Sequence, residues 1–324
     1  MIFLFGAPRS GTSWLAKIFD SHPDVLYHHE PDSIIVSQDV PFFPESKDVE
    51  ILIPTTRDYF TKLLNVRHLK SAASIPVFNK SYFTGLMNKI MPGLVFMLKT
   101  TSGICGKLKL PLEIKTPAFA RKNGKNGKIV DVMKSVNSPC RTGLVAQAFP
   151  EAKVIYILRH PCGYVSSQLR GRELHFLENV IYYRQLASMT VAKERGWTEE
   201  KIKSMSMEEQ LACSWVCINE QAMNDIEGQD NCMFFLYEDL CDEPIVVSRK
   251  LFDFCNLDYN DQTDTFLKSS MNYSGGNEKY FQTVRNPKTA AEKWKQELTA
   301  EQIEKIKNIV SGTKAGDNFL SYYG

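Results

Sequence analysis

Along the first thirty residues the hydrophobic pattern changes period twice. Residues 2–5 (Ile-Phe-Leu-Phe) form a continuous apolar run, and a Gly/Pro/Ser-rich stretch follows. Trp14, Leu15, Ile18 and Phe19 then recur at helical spacing, and residues 25–27 (Val-Leu-Tyr) are apolar again. Short continuous runs read as strands buried on both faces and the 3.6-residue spacing as a helix, so the predicted order is strand, loop, helix, strand. The alternation returns with a strand over 129–133, a helix over 142–149, a strand over 154–158 and a helix that Pro161 opens at its first turn. A long helix is predicted from the capping box Ser206-Met-Glu-Glu209 through Leu211, Trp215, Ala222 and Ile226, followed by a strand over 232–237. A helix around Val247, Leu251 and Phe254 comes next, and a last one starts at Thr299-Ala-Glu-Gln302 and carries Ile303, Ile306 and Val310. Continuous apolar strands alternating with helices imply an α/β fold, a parallel sheet flanked by helices on both faces.

Residues 40–128 break this rhythm. Two helical patterns stand there, one on Tyr59, Phe60, Leu63 and Leu64, the other on Tyr82, Phe83, Leu86, Met87 and Ile90. They predict an inserted helical segment over one edge of the sheet. The basic stretch 121–128 (Arg-Lys-Asn-Gly-Lys-Asn-Gly-Lys) reads as a solvated turn, because Asn-Gly pairs form turns and lysines favour water.

Length and composition narrow the class. At about 150 residues per domain, 324 residues suggest roughly two domains, but α/β folds often run longer as one, and a single domain is expected. Hydrophobic residues at 43% and charged residues at 23% exclude a disordered or disulfide-scaffold chain. A formal net charge of +2 is too balanced for a surface that tracks nucleic acid, so any anion must be met by a local cluster. No apolar run approaches the roughly 20 residues a membrane helix needs, and no signal peptide is recognisable, so a cytoplasmic location is expected. Eight cysteines without a C-x-x-C pair or zinc spacing read as reduced core residues, and no carboxylate pair or His cluster reads as a metal site.

The chemistry concentrates between the first strand and the first helix. Gly6-Ala-Pro-Arg-Ser-Gly11-Thr12-Ser13 has the G-x-x-x-x-G frame of a phosphate loop, with Thr12 where nucleotide-hydrolysing loops carry Lys. Backbone N–H groups of Ser10, Gly11, Thr12 and Ser13 at a helix start can hold anionic oxygens, and Arg9 can supply the charge in a forked geometry.

Pro8-Arg-Ser-Gly-Thr-Ser-Trp14 resembles the 5′-phosphosulfate loop of sulfotransferases that use 3′-phosphoadenosine 5′-phosphosulfate (PAPS). Val154-Ile-Tyr-Ile-Leu-Arg159-His-Pro-Cys-Gly-Tyr-Val-Ser-Ser167 resembles that family's 3′-phosphate motif, an apolar strand ending in Arg with Ser eight residues later. The resemblance implies that Arg159 grips the 3′-phosphate and that Ser167 adds a hydroxyl. Phe235-Leu-Tyr237-Glu-Asp-Leu240 resembles the family's Y-E-D-[LM] strand end, which implies Tyr237 beside the adenine with Trp14 flanking it. Arg285-Asn-Pro-Lys288 followed by Lys293-Trp294-Lys295 resembles the late loop R-K-G-x-x-G-x-W-K without its glycines, leaving open which of Arg285 and Lys288 meets the 3′-phosphate. The implied fold is the P-loop nucleotide-kinase-like one of sulfotransferases, and the implied donor is PAPS, with adenosine 3′,5′-bisphosphate (PAP) as product and no metal.

Sulfuryl transfer needs a cation on the sulfuryl oxygens and a base for the acceptor proton. Lys115 and Lys134 both resemble the family's K-[TS] element. Lys134 is favoured because only one helix and one strand separate it from Arg159, which makes it the end of a neighbouring strand. Many members carry a His base two residues after this Lys, and here Val136 stands there. Carbohydrate-type members have a Glu-Pro after the second strand, which implies Glu30 as base, with burial raising its pKa towards neutrality; His28 and His29 are reserves, and strand alternation lets only one face the site. The expected activity is sulfuryl transfer from PAPS to a hydroxyl, foremost a carbohydrate-like one, with a lipid or other small-molecule alcohol open. A P-loop kinase and a non-catalytic nucleotide-binding protein are the alternatives. The acceptor is expected under residues 40–128 and a helical stretch over 173–189, near the aromatic residues Phe42, Phe43, Tyr82, Phe83, Phe176, Tyr182 and Tyr183.

Overall fold

The structure is a computed structural model that describes residues 1–44, 48–107, 115–116, 129–176, 181–273 and 286–319. Five strands, β1 (Ile2–Phe5), β2 (Val25–His29), β3 (Val130–Ser135), β4 (Lys153–Leu158) and β5 (Cys232–Leu236), form one parallel sheet in the order β2-β3-β1-β4-β5. The central strand β1 is buried along its whole length. Successive side chains of a strand point to opposite faces. Accordingly Phe3 and Phe5 pack with Phe60, Phe149 and Tyr156 on one side, while Ile2 and Leu4 pack with Leu15, Phe19 and Phe252 on the other.

Helices cover both faces, as the apolar strands predict. The labels used below are α1 (Thr12–Asp20), α2 (Val49–Leu63), α3 (Gly85–Lys107), α4 (Thr142–Ala148), α5 (Pro161–Glu173), α6 (Met207–Ile226) and α7 (Tyr237–Asp242). The chain leaves β1 into α1 on the Ile2/Leu4 face and leaves β3 into α4 on the Phe3/Phe5 face. Because β1 and β3 are neighbours, a crevice opens between their carboxyl ends, the place where ligands settle in open α/β sheets. The capping box at the start of α6 is present, with the Glu209 carboxylate accepting the Ser206 N–H at 2.8 Å.

Three expectations need correction. The strand predicted over 232–237 ends at Leu236, and Tyr237 already begins α7, whose first turn holds Glu238 and Asp239 where the helix dipole favours acids. Tyr82 and Phe83 precede the second helix of the insertion instead of lying in it; Tyr82 donates its hydroxyl to the Val25 carbonyl at 3.2 Å, and α3 starts at Gly85. The helical stretch over 173–189 is interrupted, because α5 stops at Glu173, His175 adopts a left-handed φ of 55°, and a separate helix covers Tyr183–Ser188.

The described residues between β2 and β3 pack on both faces of the sheet near the β2 edge. Phe60 of α2 sets its ring edge-on to Phe3, with centroids 5.7 Å apart. On the opposite face Lys80 Nζ donates to Asp20 Oδ1 at 3.0 Å, and Lys17 Nζ donates to Asp20 Oδ2 and to the Pro76 carbonyl at 2.6 Å each. The basic stretch 121–128 lies outside the described residues. No helix of the described residues is long and apolar enough to cross a membrane. All eight cysteines are free thiols, and seven of them are buried.

Candidate active site

The phosphate loop is shaped by two left-handed residues, Arg9 at φ 72° and Gly11 at φ 84°. Arg9 carries strain that a side chain rarely accepts, whereas at Gly11 a Cβ would also overlap the Tyr237 ring. The Ser10 N–H donates to the Ala7 carbonyl at 3.1 Å, which closes the turn. Trp14 and Leu15 then donate to the Gly11 carbonyl, so the preceding amides of Thr12 and Ser13 have no acceptor within the helix. These amides and the positive end of α1 make an anion seat.

Arg159 follows directly on β4 and closes the seat from the side. It donates from Nη1 to the Arg9 carbonyl at 2.7 Å and from Nη2 to the Ala290 carbonyl at 2.9 Å, with its guanidinium 4.9 Å from the Tyr237 ring centre. Arg9 Nε in turn donates to Ser167 Oγ at 3.1 Å. Arg9, Thr12, Ser13, Trp14, Arg159, Ser167 and Tyr237 thus line one cleft of about 680 Å³. Lys288 is exposed and is not among the lining residues, while Arg285 lies outside the described residues. Trp294 is both core and wall: it lines the cleft and stacks on His160 at 4.6 Å.

Motif reading missed several charges that the fold collects. Among the described residues, Lys17, Lys70, Lys99, Arg170 and Lys293 join Arg9, Lys134 and Arg159 in the cleft, against two carboxylates, Glu30 and Glu297. The Glu297 carboxylate is held by the Ser166 hydroxyl and by Arg170 at 2.7 Å. A chain of net charge +2 therefore gathers eight cations at one place. Lys70 and Lys99 come from the segment 40–128, so that segment serves the phosphate-loop cleft as well as any acceptor site.

Glu238 lies beneath Arg159. Its Oε1 accepts the His160 N–H at 3.1 Å, Oε2 has no hydrogen-bond partner, and burial pushes the carboxyl up to about 7 against the pull of Arg159. A carboxyl raised in the folded state favours folding below its ordinary pKa and loses that contribution as pH rises through about 7. Glu238→Gln, which keeps the acceptor for His160, is therefore expected to be more stable than the parent at pH 8, on the order of 2–3 kcal/mol, with the difference vanishing near pH 4. Thermal melts across pH check this; a difference that does not change with pH refutes it.

The third group stands where β1, β2 and β3 end together. Lys134, buried near the end of β3, pairs in register with Leu4 on one side and His29 on the other. Its Nζ forms a short ion pair with Glu30 Oε1 and lies 3.4 Å from Ser13 Oγ. Glu30 has a left-handed φ of 45°, donates its N–H to the Lys134 carbonyl at 2.8 Å and holds Oε2 3.8 Å from Lys70 Nζ. Lys115 instead bridges to His68 and does not line the cleft. His29 faces the cleft, with Nδ1 2.8 Å from the Tyr27 hydroxyl, whereas His28 pairs with Asp131 at 2.7 Å, so one histidine faces the site.

The expected pKa of Glu30 is corrected. Burial does push its carboxyl up, but Lys134, His29 and Lys70 outweigh it and hold the group below the usual carboxylate range. Burial likewise lowers Lys134, with Glu30 opposing. Burial and the Lys134 charge bring His29 down to about 4, so it is neutral at neutral pH.

A second cleft of about 710 Å³ adjoins the first and shares Pro8 and Val136 with it. Phe42, Phe43 and Tyr182 line it. Arg141 fixes that wall by donating to the Val40 and Pro41 carbonyls, with its guanidinium 4.4 Å from the Phe42 ring centre. Tyr82 and Phe83 line a separate cavity behind β2, Phe176 is exposed, and Tyr183 donates to Gln210 at 2.8 Å. Among the described residues no group of three or more His, Cys, Asp or Glu could hold a metal ion.

A parallel sheet with a phosphate loop after its first strand and an arginine after its fourth describes an α/β fold with an anion-binding cleft at its carboxyl edge, and comparison gives the family. Residues 2–261 match the model of the sulfotransferase family, to which this chain belongs. Human carbohydrate sulfotransferase 2 is 23% identical over 344 residues, covering 95% of this chain and 63% of that protein. The chain thus spans about 63% of the length of this curated relative. Among solved structures, the sulfotransferase domain from the curacin biosynthetic pathway is similar with a TM-score of 0.45 and 17% identity, covering 96% of this chain and 97% of that chain. Mouse sulfotransferase SULT7A1 complexed with PAP is similar at a TM-score of 0.45 and 16% identity, covering 99% and 88%.

Proposed function

We propose that this protein transfers a sulfuryl group from PAPS to a hydroxyl of an acceptor, foremost a carbohydrate-like one. The observation that carries the proposal is the Lys134–Glu30 pair, set between the anion seat of the phosphate loop and the adjoining aromatic cleft. The residues fit the donor. Ser10 Oγ, Trp14 Nε1 and Arg159 Nε are buried without hydrogen-bond partners in or beside the cleft, and Gly11 leaves the loop close to the Tyr237 ring.

In this reading Thr12, Ser13 and Arg9 hold the 5′-phosphosulfate, Arg159 and Ser167 hold the 3′-phosphate, and Trp14 and Tyr237 flank the base. PAPS supplies an activated sulfuryl group, whose S–O bond to the 5′-phosphate breaks as the acceptor oxygen bonds to sulfur. Glu30 takes the acceptor's proton. Lys134 turns from Glu30 towards the transferred oxygens, which stabilises them and at the same time frees the carboxylate to act as a base. The acceptor occupies the second cleft and reaches Glu30 past Pro8 and Val136. The carbohydrate preference is supported by the Glu30-Pro31 pair and by the name of the human relative. Eight cysteines that form no disulfide, seven of them buried, support a cytoplasmic location as part of this proposal.

Incubation with PAPS and a mixed panel of hydroxylated acceptors is expected to release PAP in step with acceptor sulfation, while ATP yields no ADP. ADP formation would make the protein a kinase, and tight PAP binding without turnover of any acceptor would make it a binding protein.

A further inference from the structure

The second cleft has an uneven chemistry. Its aromatic wall and the aliphatic side chains of Val36, Ile181 and Leu186 suit an apolar body. Among the described residues, two charged side chains line it, Asp32 and Arg172. Asp32 is committed inward, where it accepts from the Ser135 hydroxyl, from Ser138 Oγ at 2.8 Å and from Asn137 Nδ2 at 3.4 Å. Among the described residues no carboxylate pairs with Arg172. Its one hydrogen bond runs from Nη1 to Gln168 Oε1 at 3.4 Å, one turn back on the same helix, and its Nε is buried with no hydrogen-bond partner.

Helix α5 explains how this cation reaches the cleft. Gly163, Ser166, Ser167 and Arg170 line the first cleft, whereas Tyr164, Gln168 and Arg172, spaced four residues apart, line the second. The helix is the partition between the two sites. A cation in the last turn of a helix complements the helix dipole, and Arg170 meets that role while paired to Glu297. The dipole accounts for a charge at Arg172 but not for an Nε buried without a partner beside the cleft, since such a group costs free energy unless something satisfies it.

We infer that the acceptor is an amphipathic alcohol that carries an acidic group, with its apolar part against Phe42, Phe43 and Tyr182 and its anion on Arg172. The inference rests on the assignment of the second cleft to the acceptor. A carboxylate or a sulfate ester provides the acceptor atoms that a guanidinium fork binds through two parallel hydrogen bonds. Arg172 is then a binding residue that selects the acceptor and orients its hydroxyl along the partition towards Glu30.

Octyl β-glucuronide and its methyl ester test this, because they share every hydroxyl and the apolar tail and differ in charge. With the PAP-loaded full-length protein, calorimetry is expected to show the acid binding roughly tenfold to a hundredfold more tightly than the ester. Arg172→Gln should level the two while leaving PAP affinity unchanged, and Phe42→Ala should weaken both by a similar factor. Equal affinity for acid and ester, binding of neither, or a preference that survives Arg172→Gln overturns the proposal. The same pair assayed with PAPS separates the two readings. An Arg172-dependent affinity difference without sulfation keeps the anionic cleft and removes the acceptor role from it, whereas sulfation of both at equal KM refutes the charge preference and keeps transfer.

Discussion

Glu30→Gln is expected to reduce turnover by about a hundredfold or more while PAP affinity stays at the parent value, because the amide keeps an oxygen for Lys134 but cannot take a proton. The pH profile carries the sharper information. Because the net shift of Glu30 is downward, the group stays ionised as pH falls through the ordinary carboxylate range, and kcat/KM for the free enzyme should hold its plateau to pH values below that range. Lys134→Ala removes the strongest charge opposing burial, so the acid limb should move to higher pH in that variant, together with a loss of rate. His29 gives the contrary outcome its form: it is lowered to about 4 and lies 2.8 Å from the Tyr27 hydroxyl. Near-parental turnover of Glu30→Gln, with abolition in His29→Ala, would make the histidine the base.

Arg159→Ala is expected to remove most of the preference of the protein for PAP over AMP, a weakening of roughly tenfold to a hundredfold for PAP and much less for AMP. Arg159 also donates to the Arg9 and Ala290 carbonyls, so its removal loosens the phosphate loop itself. That contribution is common to both nucleotides and cancels in their ratio, which makes the ratio measured by calorimetry the proper readout. Equal affinities of the parent protein for PAP and AMP would remove the 3′-phosphate role from Arg159 and Ser167.

Local chemistry made much of the molecule legible from its sequence. A short apolar run rich in β-branched and aromatic residues, such as residues 154–158, favours a buried strand over a helix, and Gly11 before Thr12-Ser-Trp14 admits the left-handed turn that starts α1. The phosphate loop, Arg159, Ser167 and Tyr237 could each be singled out from residues close together in sequence, and the structure sets them on one cleft. The helix boundaries at Gly85 and Glu173 were not, since the first depends on Tyr82 reaching the Val25 carbonyl and the second on a left-handed His175.

Charge at the site behaved differently from shape. The sequence contains every cation of the cleft, but nothing local to Lys70, Lys99 or Lys293 distinguishes it from a solvated lysine until the fold brings it beside the phosphate loop. Burial alone predicts a raised Glu30, whereas the partner that reverses the sign stands 104 residues later, on the strand that pairs with β2. Electrostatic energies depend on distance through space and on the surrounding dielectric, and neither is a property of sequence neighbours. The motifs and elements therefore came from the sequence, and the protonation state of Glu30, the company of the phosphate loop and the face on which Arg172 emerges came from the tertiary structure.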